Sequence, residues 1–239
     1  MSDLEVHVWD KLLPNLPANN EHFAGSPEEY VPVLYDTIAR SSGLLTPEEE
    51  LVFESSTRFS QAAMGSNPVS TRFLQILARL VRAERVLEIG TFVGVSAIYL
   101  ARALEQGGRV VTIEKFPEFA RIAERNFAAN GVQDRITLLV GDAFERIRGL
   151  PEDEPFDLAF LDGHKERYAD YFEAIAPRLR PGGLLVVDDV LFHGDALNKV
   201  CRTEKGEGVR RFLDRAASAK DFLRLTLPLA NGIMLMLKQ

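Results

Sequence analysis

Two periodicities divide the chain near residue 82. Before it, apolar positions recur every three or four residues; after it, short apolar runs alternate with helical stretches. In the first part Pro14, Pro17 and Asn19-Asn20 break the beginning, and Tyr30, Val33, Leu34, Tyr35 and Ile38 give residues 27–41 a helical spacing. Thr46-Pro47-Glu48-Glu49 has the form of a helix start, with Thr as cap, Pro in the first turn and Glu at the third position. The pattern predicts a helix from there to about residue 64, ended by Gly65-Ser66-Asn67-Pro68. It predicts another over 70–82, with Phe73, Leu74, Leu77, Leu80 and Val81 on its apolar side.

The second part predicts strands at 85–89, 109–113, 135–140, 156–161, 184–187, 222–226 and 233–237. Helices are expected over 96–104, 117–129, 166–179 and 206–217, with Asn130-Gly131 closing the second and Arg180-Pro181-Gly182-Gly183 as a turn. Strand–helix alternation at this spacing implies a mostly parallel sheet with helices on both faces. The last two strands are too close in sequence for a parallel crossover and must pair antiparallel. The reading is one domain: a helical extension over 1–82 and an α/β core over 83–239.

Composition narrows the function classes. At 239 residues the chain can bury a sizeable core. No apolar run reaches the roughly 20 residues of a membrane span, and the N-terminus lacks the look of a secretion signal. Cys201, the single cysteine, excludes an intramolecular disulfide and fits a reducing compartment, so a cytoplasmic protein is expected. A net charge of −7 argues against a nucleic-acid surface.

Chemistry collects where parallel strands end, which is where ligands bind in such sheets. Glu88-Ile89-Gly90-Thr91-Phe92-Val93-Gly94 follows a strand and opens a helix. It lacks the third glycine of the dinucleotide fingerprint, so a pyrophosphate cradle is not written there. Glu114 ends the next strand, where an acid can accept hydrogen bonds from ribose hydroxyls. Asp142 ends the third, within reach of an adenine amino group. Glu88 adds an acid near a cationic part of the ligand. A nucleoside with a cationic amino-acid tail fits this set better than NAD. Asp162 with Lys165, and the pair Asp188-Asp189, put three carboxylates and a lysine where a hard cation would bind. Taken singly, each acid would read as a helix cap or a solvated charge, and Lys165 as a solvated first-turn residue. His164 and His193 flank the cluster, but nitrogen ligands suit Zn²⁺ better than Mg²⁺.

With these residues the chain resembles the cation-dependent O-methyltransferases that use S-adenosylmethionine, the branch of catechol and caffeoyl-CoA O-methyltransferases. The segments carrying the resemblance are 86–96, 160–165 with Tyr168, 186–194 and 227–233. It implies a Rossmann-like α/β fold with a mostly parallel seven-stranded sheet, a C-terminal antiparallel strand and an N-terminal helical extension. It implies cofactor contacts from Met64, Ser66, Glu88, Gly90, Thr91, Phe92, Ser96, Glu114, Lys115, Asp142, Ala143 and Asp162. Asp162, Asp188 and Asp189 match the metal ligands, although the family usually carries Asn at the last position. That departure leaves Mg²⁺, Ca²⁺ and Mn²⁺ all open. Lys165 matches the general base, with Asp162 beside it in the catalytic centre, and Lys165, Tyr168 and Phe192 would meet the acceptor. Burial and the metal would hold Lys165 neutral for that task. Trp9 and Phe23 would belong to a lid or a dimer contact.

The expected activity is methyl transfer to a small molecule with vicinal hydroxyls, in a homodimer and away from membranes. The rivals are a hydroxylated tRNA base as acceptor, which the acidic balance disfavours, and an NAD-dependent oxidoreductase, which leaves the aspartates without a role. A vestigial, non-catalytic module is the third; the full set of site residues speaks against it.

Overall fold

The computed structural model describes residues 24, 25, 27–56 and 67–239. Met64, Gly65, Ser66, Trp9 and Phe23 therefore lie outside the described residues. The chain divides into two compact units, Met1–Leu44 and Leu45–Gln239. In the first, helix α1 (Pro27–Ser42) covers the expected segment, with Arg40 paired to Asp36 one turn before it at 2.7 Å.

The second unit carries the sheet. Its helices are α2 (Pro47–Glu50), α3 (Pro68–Leu80), α4 (Val95–Ala103), α5 (Pro117–Ala129), α6 (Ala143–Arg148), α7 (Tyr168–Ile175) and α8 (Glu204–Ala217). Its strands are β1 (Arg85–Ile89), β2 (Arg109–Glu114), β3 (Ile136–Val140), β4 (Phe156–Leu161), β5 (Leu179–Val187), β6 (Phe222–Leu227) and β7 (Ile233–Lys238). They form one seven-stranded sheet in the order β3-β2-β1-β4-β5-β7-β6. The first five strands run parallel, and β7 is antiparallel to both β5 and β6. The mostly parallel sheet and the closing antiparallel pair are both as the sequence predicts.

Helices cover both faces because β1 and β4 are buried along nearly their whole length. One layer of core packs Val86, Leu158, Phe160 and Val186 against Leu74, Ile98, Tyr99 and Phe127. The other packs Leu87, Ala159, Leu161 and Leu185 against Tyr168, Phe172, Ile175 and Phe212. Leu74, Leu77 and Ala78 of α3 are thus core residues of the sheet unit itself.

Three expectations give way to tertiary contacts. The helix starting at Thr46 forms its capping box, with the Thr46 N–H donating to Glu49 Oε2 at 2.8 Å, but it ends after one turn. Residues 51–56 continue without helix, because Leu51 is buried and the backbone of Val52 and Glu54 pairs with Asn130 and Asn126. The expected turn at 180–183 lies within β5: Phe156 pairs with Leu179 and Leu158 with Leu184, so these four residues bulge out of register. A short helix, α6, follows Asp142 where the pattern showed none.

Candidate active site

Strand order reverses direction between β1 and β4, and a crevice at the carboxyl edge is the consequence. Register brings the edge residues together. Glu88 lies across from Thr112 on one side and Phe160 on the other, and Ile89 from Ile113 and Leu161. The strand ladder continues past the ends: Asp162 N–H donates to Ile89 O at 2.9 Å, and Asp188 N–H to Leu161 O at 3.0 Å. Gly90, Asp162 and Asp188 therefore stand side by side.

The loop after β1 is built on Gly90, at φ 101°. A Cβ there would sit 2.2 Å from the carbonyl oxygen of Asp162, so no other residue fits. Phe92, at φ 49°, donates its N–H to Glu114 Oε2 at 2.8 Å, while Phe116 N–H donates to Oε1 at 2.9 Å. Glu114 thus braces two loops. Burial pushes its carboxyl up, against the pull of those amides. Lys115 is exposed, with its ammonium 5.8 Å from the Phe116 ring centroid.

Beneath the loop, Thr91 and Thr112 hydroxyls are 2.5 Å apart, and Thr112 Oγ1 donates to Glu88 Oε2 at 2.5 Å. Because Thr112 spends its proton on Glu88, Thr91 must be the donor to Thr112. Glu88 has no solvent exposure, and its Oε1 is buried without a hydrogen-bond partner. Burial raises its pKa to about 7, despite the Ser96 and Thr112 hydroxyls that favour the charge. An orphaned buried carboxylate oxygen under a glycine loop suits a cationic ligand group. The cradle therefore fits an amino-acid-tailed nucleoside. Ser96, in the first turn of α4, is buried beside Glu88.

Asp142, at the carboxyl end of β3, also caps a helix. Its Oδ1 accepts from Phe144 N–H at 2.9 Å and Glu145 N–H at 3.3 Å, capping α6. Ala143 is buried in the first turn of that helix. Beyond it, Phe144 stacks flat on Tyr171 at 4.5 Å, and the Arg167 guanidinium lies 3.9 Å from the Phe144 centroid on the site's flank.

The acidic cluster closes around Lys165. Its Nζ donates to Asp162 Oδ1 at 2.5 Å and to Tyr168 Oη at 2.8 Å, and stands 2.9 Å from Asp189 Oδ2. Burial works against its charge, but Asp162, Tyr168 and Asp189 outweigh it and hold the ammonium well above the ordinary lysine range. Burial, one of the two influences expected to keep this lysine neutral, is here outweighed by its partners. Tyr168, expected at the acceptor, is fully buried beneath it against Phe212. Gly208 of α8 lets this turn seat, since a Cβ there would come within 2.5 Å of Lys165 O.

Asp188 turns its carboxylate to its neighbour, accepting from Asp189 N–H at 2.8 Å. Burial, then the charges of Asp162 and Asp189, raise it to about 7. Among the described residues no three acidic, His or Cys side chains enclose a metal position as they stand. The donor chemistry still fits a hard divalent cation: Asp162, Asp188 and Asp189 cluster at one edge, and Lys165 occupies a cation position between Asp162 and Asp189. Asp189, Phe192 and His193 all take positive φ, of 58°, 40° and 52°. The loop is held there by Val190 N–H to Gly232 O and Leu191 N–H to Asn231 O, at 3.0 and 2.7 Å. Such clustered strain marks functional loops.

Sequence reasoning missed Thr112 and Asn126. Thr112 was visible as a polar residue inside an apolar strand, in register with Glu88. Asn126 had no such signal.

Comparison with known proteins completes the picture. The family described as O-methyltransferase matches residues 41–239. The catechol O-methyltransferase of Niastella koreensis is 35% identical over 72% of this chain and 80% of its own. The structure of the O-methyltransferase TomG of Streptomyces achromogenes, involved in tomaymycin synthesis and in complex with SAM, superposes with a TM-score of 0.71. It is 32% identical, covering 80% of this chain and 94% of that one. An O-methyltransferase from Bacillus cereus in complex with SAH also gives 0.71, at 26% identity over 98% and 100% of the two chains. Sequence, fold and the crevice at the carboxyl edge agree: this chain is an enzyme that belongs to the O-methyltransferase family.

Proposed function

We propose that the protein transfers a methyl group from S-adenosylmethionine to one oxygen of a small acceptor with vicinal hydroxyls, with a divalent cation at Asp162, Asp188 and Asp189. The observation that carries this reading is the double position of Asp162. Its carbonyl abuts Gly90 of the glycine loop, while its carboxylate belongs to the acidic cluster. A cofactor in the cradle and an acceptor at the cluster would be neighbours across a single residue, and proximity of this kind supplies much of the acceleration in group transfer.

The cofactor supplies an electrophilic sulfonium methyl. Glu114 would take its ribose hydroxyls, and Glu88, with Thr112 and Thr91 behind it, would face its cationic tail. Sulfonium charge disappears in the reaction, so Glu88 serves binding more than chemistry. A bound divalent cation lowers the pKa of a coordinated hydroxyl from the value near 10 of a free phenol. Lys165 has two duties here. With its carboxylate partners drawn to the cation, its ammonium would give one proton to solvent, the free amine would take the acceptor's proton, and the ammonium so restored would favour the oxyanion beside it. Phe192, half-buried at the mouth beside His193, would wall the acceptor.

The test is transfer of labelled methyl to caffeic acid with Mg²⁺, with EDTA and in Asp188→Ala. Loss of activity with EDTA and in the variant is the expected result. Activity indifferent to both would remove the cation from the reading.

A further inference from the structure

The bridging position of Lys165 has a consequence for cation binding, which rests on the proposed cation site. We propose that the Lys165 ammonium is a built-in competitor for the divalent cation. It satisfies Asp162 and Asp189 in the cation's absence and must leave them for the ion to bind. Three contacts carry this. Nζ donates to Asp162 Oδ1 at 2.5 Å and to Tyr168 Oη at 2.8 Å and pairs with Asp189 Oδ2 at 2.9 Å, so the ammonium is held from three sides. The side chain is nearly buried, and the Tyr168 ring lies beneath it with the centroid 5.1 Å from Nζ. The seat is thus enclosed largely by protein.

Asp189 makes the competition strong. An Asn at this position would offer the ammonium a neutral oxygen; the carboxylate offers a second full charge. The same carboxylate is a better ligand for a hard cation, so the acid at 189 strengthens both contestants. A carboxylate oxygen in direct contact with an ammonium cannot also be fully engaged by an ion. The two cations therefore compete for Asp162 Oδ1 and Asp189 Oδ2. Displacement of Lys165 by the ion would also free the lysine from its anchors at the moment the acceptor site is completed.

Calorimetric titration of the full chain with MnCl₂ tests this without reference to activity. Lys165→Met should bind at least about tenfold tighter than the unaltered protein, the size of a single strong coupling. That variant also removes a charge, so Tyr168→Phe is the sharper probe and the safeguard if Lys165→Met does not fold. It leaves net charge unchanged and only loosens the ammonium's seat. Competition expects about threefold tighter binding from it, on the scale of one hydrogen bond. In an Asp189→Asn background the gain from Lys165→Met should shrink, because one contested oxygen is gone. Equal Mn²⁺ affinity in the unaltered chain, Tyr168→Phe and Lys165→Met would overturn the competition and leave the cation site standing. No binding heat in any of them would overturn the cation site and the competition together.

Discussion

Asn126 holds Glu54 as one strand holds another. Its Oδ1 accepts from Glu54 N–H at 2.6 Å and its Nδ2 donates to Glu54 O at 2.9 Å. The same amide group also donates to Val93 O, at 2.8 Å, inside the glycine loop. Asn130 repeats the pairing with Val52, and Arg125 forks onto the Glu54 carboxylate at 2.8 and 2.9 Å. One face of α5 thus fastens residues 52–54 to the candidate cofactor loop.

Replacing this amide should therefore cost stability and cofactor binding together. Asn126→Leu leaves the part-buried N–H and C=O of Glu54 and the buried C=O of Val93 without their partner and is expected to cost about 3 kcal/mol. Asn126→Asp keeps the acceptor and loses both donors, and should fare no better. Urea unfolding followed by circular dichroism gives the first quantity, and calorimetry with S-adenosylhomocysteine the second. A variant that unfolds like the parent chain would show that the pairing contributes nothing.

Glu88 should leave a mark on the pH dependence of stability. Its ordinary value is 4.5 and in the folded chain it is about 7. A carboxyl raised on folding binds its proton more tightly in the native state. Its contribution is present below pH 4.5, declines as pH rises towards 7, and levels off above. At about 1.4 kcal/mol per pKa unit, the decline is at most about 3 kcal/mol. Glu88→Gln should flatten that part of the curve, gaining on the parent at pH 8 relative to pH 5. Thr112→Val removes the donor that favours the charge and should move the inflection upward. Chemical denaturation at several pH values reads both; parallel curves for parent and Glu88→Gln would refute the assignment.

Gly90→Ala combines a left-handed backbone with a clash against the Asp162 carbonyl. The loop or β4 must move, at an expected cost of about 2–4 kcal/mol. Cofactor binding should be lost even at temperatures where circular dichroism still reports a folded chain. Retained affinity would mean that the loop does not hold the cofactor.

Asp142 separates capping from recognition. Asp142→Ala should cost about 1 kcal/mol through the uncapped α6, and Asp142→Asn should restore most of it. Thermal melts of the two variants decide the matter: equal losses would show that the charge, rather than the cap, is what position 142 supplies.

Much of this architecture was legible in the chain. Apolar runs placed all seven strands, because central strands such as β1 and β4 are buried on both faces and so are largely apolar, and a short link between β6 and β7 leaves no choice of direction. The acids at strand ends stood out because a carboxylate beside an apolar run rarely lacks a reason. Tertiary structure decided what local pattern cannot contain. Thr46 started a helix as its capping box requires, yet partners more than 70 residues away drew 52–54 out of it. Pro181-Gly182-Gly183 looked like a turn, but β4 continues pairing on both sides of it. The setting of Lys165 is the clearest case. Burial alone would neutralise a lysine, and the sequence shows only that carboxylates are near in the chain. That two of them and a phenol converge on one ammonium depends on β4, β5 and α7 meeting at a single edge, and a sum of charges at fixed distances is a property of the fold.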